Sequence, residues 1–171
     1  ADKAIRINQN PENSKIVSDC IFSYCSKNSF DLILCGKESI DYNGGKVPGF
    51  LAGKLNIPFI NGCTGLEIKN DTLQIKREID NGHEVAETHL PVVIAGQKGL
   101  VEEKDLRIPS MRGIMTARTK PLEVIESNIS HEKRLKVISH EKPPSRSECK
   151  IINENNIHEL VKCLTNDAKV I

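Results

Sequence analysis

Apolar residues recur along this chain with more than one period, and each period has its own stretch. From Asn13 to Lys27, Ile16, Val17, Cys20, Ile21 and Tyr24 fall three and four residues apart. That spacing predicts a helix with Asn13 or Ser14 as its cap. Phe30 to Cys35 is apolar throughout except for Asp31, and it ends at Gly36. It reads as a strand buried on both faces, as in a parallel sheet. A short helix over Gly49–Leu55 and a short strand over Ile57–Asn61 follow. Between Gly65 and His89 the period falls to two. Gly65–Ile68, Leu73–Ile79 and Glu84–His89 alternate apolar with polar residues, and Asn70-Asp71 and Asp80-Asn81-Gly82 supply the turns, so an antiparallel meander is expected.

Pro91–Ala95 returns to a buried strand closed by Gly96, residues 100–112 read as mixed loop, and Gly113–Arg118 as a helical turn stopped by Lys120-Pro121. Periodicity is lost from 122 to 148, where Lys142-Pro143-Pro144-Ser145 favours an extended chain. Ile157, Leu160, Val161 and Leu164 then mark one face of a closing helix capped by Asn155 or Asn156. Helix, buried strand and glycine-bearing loop is a unit of the α/β class.

Composition narrows the function. At 171 residues the chain fits one domain with an appendage. Lysine plus arginine number 24 against 23 aspartate plus glutamate, so no excess charge argues for nucleic acid. With no Trp, two Tyr and four Phe, a base-stacking surface is not expected. No run approaches the roughly 20 apolar residues of a membrane span. Six cysteines lie at 20, 25, 35, 63, 149 and 163 without a C-x-x-C pair. Cys35 sits in the apolar run and Cys20 and Cys25 in the helix, so buried free thiols in a reducing cytoplasm are expected.

The candidate chemistry lies in the loop Gly36-Lys37-Glu38-Ser39-Ile40-Asp41-Tyr42-Asn43-Gly44-Gly45-Lys46-Val47-Pro48-Gly49. In open α/β sheets ligands bind beyond the carboxyl ends of the strands. Glycines let backbone N–H groups approach an anion, a following helix start adds partial positive charge, and Lys37 or Lys46 adds a full one. Neither G-x-x-x-x-G-K-[ST] nor G-x-G-x-x-G is present, and the loop taken bare is equally compatible with a plain glycine-rich surface loop. The five histidines show no metal-ligand spacing, and no Ser/His/Asp set or activated cysteine stands out.

Gly36-Lys37-Glu38-Ser39-Ile40-Asp41, following Asp31-Leu32-Ile33-Leu34-Cys35, resembles the G-K-[QE]-[AST]-I-D motif of electron transfer flavoprotein beta subunits. Leu51-Ala52-Gly53, Lys76-Arg77-Glu78-Ile79-Asp80-Asn81-Gly82-His83-Glu84, Leu90-Pro91-Val92-Val93, Gly99-Leu100-Val101-Glu102 and Arg112-Gly113-Ile114-Met115-Thr116-Ala117 keep that family's order, and Ala1-Asp2-Lys3-Ala4 is similar to its G-A-D-[RK]-A segment.

The resemblance implies a Rossmann-like parallel sheet of the adenine-nucleotide-binding type. The meander would be inserted in it, and an extended C-terminal arm would end in a helix. It implies a heterodimer with an alpha subunit that holds most of the redox FAD. The beta subunit binds AMP or, in bifurcating members, a second FAD. Electrons pass from flavin dehydrogenases, such as the acyl-CoA dehydrogenases of fatty acid beta-oxidation, toward a membrane quinone reductase. The chain is expected to be a carrier subunit without catalytic residues of its own, in a bacterial cytoplasm or, failing that, a mitochondrial matrix.

The expected nucleotide contacts are Gly36, Lys37, Ile40, Asp41, Asn43, Gly44, Gly45, Lys46 and Val47. Leu100 and Val101 are expected to form a loop that contacts client dehydrogenases, with Leu100 as its anchor. Residues 1–121 are expected to form the nucleotide-binding domain, and 122–171 an arm lying across the alpha subunit. Two departures stand out. Relatives carry about one more strand–helix–strand unit ahead of Ala1, so the chain is expected to be a fragment. Many also have Q-T-G or Q-V-G where this chain has Lys46-Val47-Pro48, which removes hydroxyl or amide contacts to phosphate. The rival readings are a universal-stress-type adenine-nucleotide-binding module without redox function and an adenylating enzyme. The first leaves the meander and arm unexplained; the second lacks its loop near the first strand.

Overall fold

Alternating Ile5 and Ile7 place Ala4–Asn8 in an extended strand, β1, which lies parallel to β7, Leu122–Glu126, with Ala4 opposite Leu122 and Asn8 opposite Glu126. The computed structural model describes residues 1–70, 72–127, 129, 138–146 and 148–171. They divide into two compact units, Ala1–Glu132 and Lys133–Ile171.

In the first unit the chain runs from β1 into α1, Ser14–Cys25. The Asn13 side chain accepts the Ile16 N–H at 3.0 Å, a cap typically contributing about 1 kcal/mol. β2, Leu32–Gly36, opens a second, five-stranded sheet of order β2-β6-β3-β4-β5. Here β3 is Phe59–Lys69, β4 Thr72–Ile79, β5 Gly82–His89 and β6 Val92–Gly96. β2, β6 and β3 are mutually parallel, and β3, β4 and β5 form the antiparallel meander. The α/β class and the meander are as the sequence predicts.

The burial is not. The run 30–35 forms an edge strand: β2 pairs with β6 alone, and Leu34 is 59% exposed. Full burial belongs to β6, which has a neighbour on each side and keeps Val92, Val93, Ile94 and Ala95 at 1% exposure or less. An apolar run shows that a strand is at least half buried, but not whether it sits at the middle of its sheet.

Val92 and Ile94 pack with Cys63, Leu73 and Ile75, so the meander closes over one face of β6. The other face receives α2, Val47–Leu55, whose Leu51 and Ala52 are buried. Burying a Leu or Ile side chain contributes about 2 kcal/mol. α2 starts two residues before the expected Gly49, because Pro48 in its first turn is compatible with helix.

α1 packs on α2, and between them Asp19 ties the two. Burial would raise the Asp19 carboxyl, but Lys15, at 2.8 Å, and Lys54 together hold it below the usual carboxylate range. The two strands expected separately at 57–61 and 65–68 are one. β3 runs through both, shifts register between Cys63 and Gly65, and passes Gly62 at φ +70°, a conformation that favours glycine. The expectation that the chain leaves its own sheet at 122 is likewise corrected for residues 122–126, which form β7 on β1. The alternation Leu122, Val124 was too short to stand out.

In the second unit, the expected helix is α4, Ile157–Lys162, continued as a wider π-type stretch over Cys163–Ala168. Asn156 and Glu159 cap each other: the Asn156 Nδ2 donates to Glu159 at 2.7 Å, and the Asn156 Oδ1 accepts the Glu159 N–H. All six cysteines are free. Only Cys20 and Cys63 are buried, and burial raises the Cys63 thiol, so the expectation of buried thiols holds for two of the six.

Candidate functional site

The parallel pairing of the three strands ends at one level, while β3 itself runs on to Lys69. Gly36 of β2 and Cys63 of β3 both face Gly96 of β6 in register. The Lys37 N–H donates to the Gly96 carbonyl at 3.0 Å and the Gln97 N–H to the Cys63 carbonyl at 2.9 Å. Two loops therefore leave the carboxyl ends of adjacent strands, 37–46 and 97–110.

The first loop has the composition predicted for anion binding. Ile40, Asp41, Tyr42 and Asn43 stand out in solvent, Asn43 in the left-handed region at φ 47°. The Asp41 carboxyl is held below its ordinary value by the Ser39 hydroxyl and by the Tyr42 N–H, which donates to it at 2.8 Å. The chain then folds back. A β-carbon on Gly45 would lie 3.0 Å from the Lys37 carbonyl oxygen, so only glycine fits there without shifting backbone. One on Gly44 would lie 3.6 Å from the Ser14 Oγ and 3.7 Å from the Ser39 Oγ. Lys46 leads into α2 without a side-chain cap, so the Val47 and Gly49 N–H groups of the first turn have no capping side chain, and Pro48 has no N–H to satisfy.

Gly36, Lys37, Gly44, Gly45, Lys46 and Val47 thus share one strand-to-helix turn. The Ile40 and Asp41 side chains belong to its outer, exposed rim. The glycine cradle, two lysines and backbone donors suit a phosphate. Ser14 and Ser39 also converge there. Ser39 lies inside the recognised motif, while Ser14 gave no signal beyond a capping pattern.

The second loop is built differently. Leu100 bends back so that its Cδ2 lies 3.1 Å from where a Gly96 β-carbon would stand, and it packs on the core beside Leu32, Ile60 and Leu66. Expected as an exposed anchor, Leu100 is instead half buried, and the exposed member of the pair is Val101, at 55%. The apolar side chain follows the open space above Gly96 in preference to water. Beyond a 3₁₀ turn at Glu103–Asp105 comes α3, Met111–Ala117, capped by the Ser110 Oγ on the Gly113 N–H at 3.1 Å. It starts two residues before the expected Gly113, and every residue in it is exposed. Ile108, at 90%, and Met111, at 76%, are nearly bare.

A groove of about 300 Å³ lies elsewhere in this unit, lined by Ile7, Cys20, Tyr24, Ile125, Ser127 and Ile129 among others. None of residues 36–49 lines it. Among the described residues no three His, Cys, Asp or Glu side chains gather as a metal site, and no helix is long and apolar enough to cross a membrane.

Residues 1–130 match the family model for the electron transfer flavoprotein domain. The chain belongs to that family. Its relatives include the electron transfer flavoprotein subunit beta of Bacillus subtilis, 35% identical over 184 residues, which cover 99% of this chain and 70% of the relative. The human subunit beta is 30% identical over 155 residues, covering 86% and 60%. The probable subunit beta of Saccharomyces cerevisiae is 33% identical over 144 residues, covering 81% and 53%. The chain is thus similar to beta subunits in particular, and spans from about half to 70% of the length of these three relatives.

Proposed function

We propose that this chain is the beta subunit of a heterodimeric electron transfer flavoprotein. It carries electrons from flavin dehydrogenases, such as acyl-CoA dehydrogenases, toward a membrane quinone reductase, in a bacterial cytoplasm or a mitochondrial matrix. The observation that carries this reading is the family match over residues 1–130. When bound, the FAD shared with the alpha subunit supplies the redox chemistry, and the chain binds and orients without catalytic groups of its own. The loop after β2 holds a second nucleotide, AMP or another FAD, with Gly44, Gly45 and Lys46 nearest its phosphate. The glycine cradle and the open first turn of α2 support this placement.

Residues 97–117 face client dehydrogenases, with Val101 outward and Leu100 as the foot that fixes the loop. The arm beyond β7, ending in α4, lies across the alpha subunit. Its support is the apolar face Ile157, Leu160 and Val161, which α4 leaves exposed.

Co-expression with the alpha subunit tests the reading. A yellow heterodimer that releases FAD together with AMP, or extra FAD, on denaturation is expected, as identified by chromatography. A colourless chain that fails to associate would overturn it.

A further inference from the structure

The two hydroxyls beside Gly44 come from different parts of the fold. Ser39 belongs to the loop; Ser14 is the first residue of α1. The missing side chain of Gly44 leaves a recess with a hydroxyl on each side, 3.6 and 3.7 Å from the vacant β-carbon position. The hydroxyls are not equivalent. Ser39 already donates to the Asp41 carboxylate. Ser14 is half buried, and its hydroxyl has no hydrogen-bond partner among the described residues. The hydroxyl is not sealed from solvent, so a ligand oxygen in the recess would take the place of water on it.

Charge decides which ligand group and which side. No carboxylate pairs with Lys37 or Lys46 among the described residues, so both are available to an anion entering the recess. Asp41, ionised on the Ser39 side, repels that anion and favours the Ser14 side. A phosphate has enough acceptor oxygens to meet a hydroxyl, a lysine and backbone N–H groups together. A ribose hydroxyl or an adenine ring gains nothing from the two lysines.

Resting on the nucleotide-loop reading above, we propose that Ser14 is a phosphate-contacting residue. Its hydroxyl donates to a phosphate oxygen lodged over Gly44, so the ligand is held between α1 and the β2–α2 loop. Ser14 thereby supplies a hydroxyl of the kind that Lys46-Val47-Pro48 lacks. It also makes the site selective for the phosphorylated end of the nucleotide over the nucleoside.

The test uses the nucleotide-stripped heterodimer, titrated calorimetrically with AMP and with adenosine. Ser14→Ala is expected to weaken AMP about three- to tenfold, the loss of one charge-assisted hydrogen bond, and to leave adenosine unchanged. Ser14→Thr restores AMP affinity, and Ser14→Asp weakens AMP well beyond the alanine variant by repulsion. Ser14 lies after the Asn13 cap, so the alanine variant keeps the wild-type unfolding midpoint. AMP affinity unchanged by Ser14→Ala, or an equal loss for AMP and adenosine, would overturn the proposal. Failure of the loop reading looks different: wild-type protein would then bind AMP no better than adenosine, and Lys46→Ala would change neither.

Discussion

Two loops leave neighbouring strands at the same level, from Gly36 and Gly96, and they are built on opposite principles. The first is polar, rich in glycine and folded back on itself through Gly45 and the Lys37 carbonyl. The second keeps one apolar foot, Leu100, on the core and leaves Val101, Ile108 and Met111 uncovered. A small anion needs a fixed cluster of donors, which a tied loop provides. A protein surface needs apolar area, which a segment that packs little on its own core leaves exposed. One crest of a sheet can serve both, because the strands fix where each loop starts and leave its course to local sequence.

The largest effect that would break this contrast is expected at Gly45. Gly45→Val places a side chain against the Lys37 backbone and should abolish nucleotide retention in the purified heterodimer, at a cost of about 2 kcal/mol or more to the loop. Full occupancy in that variant would mean that the loop is not tied as described. Leu100→Ala should come next. As a half-buried core contact it should lower unfolding free energy by about 1–2 kcal/mol in chemical denaturation. An unchanged midpoint would return Leu100 to the surface and restore the anchor expected from sequence.

Val101→Asp sharpens the same comparison. Stability should stay within about 0.5 kcal/mol of wild type, while electron transfer from a dehydrogenase falls about tenfold, or 1.4 kcal/mol. Equal kinetics would remove Val101 from the contact surface. The smallest effect concerns Asp41. Its folded value lies below that of the free side chain, so its bonds to Ser39 and the Tyr42 N–H are intact above the free carboxylate range near pH 4. They are lost as pH falls through the lower folded value. The Tyr42 amide resonance should follow that titration; a midpoint at or above the free value would contradict it.

Legibility from sequence followed how local each cause is. The cap at Asn13, the turn at Asp80-Asn81-Gly82 and the composition of the 36–49 loop are set by residues near each other in the chain. All were predictable, and the motif starting at Gly36-Lys37 pointed to the family. The turn expected at Asn70-Asp71 includes a residue outside the described ones. What escaped depended on partners far away. That 30–35 is an edge strand depends on where β6 lies, and β1 and β7 pair across more than a hundred residues. Leu100 looked exposed because its neighbours are charged, but the space it fills exists only because residue 96 is glycine. Ser14 became a candidate only when folding brought α1 to Gly44.

The continuity of β3 has a dynamic consequence. Its first half hydrogen-bonds to β6 and its second half to β4, across the shift at Cys63–Gly65. The meander therefore cannot open as a detached flap, because unzipping it strips the cover from Val92 and Ile94. Amide hydrogen exchange should report one cooperative block running from β6 through β3 into β4, with slow and similar rates on both sides of Gly62. Deleting residues 66–89 should then dissolve the unit, where trimming a true appendage would only shorten it.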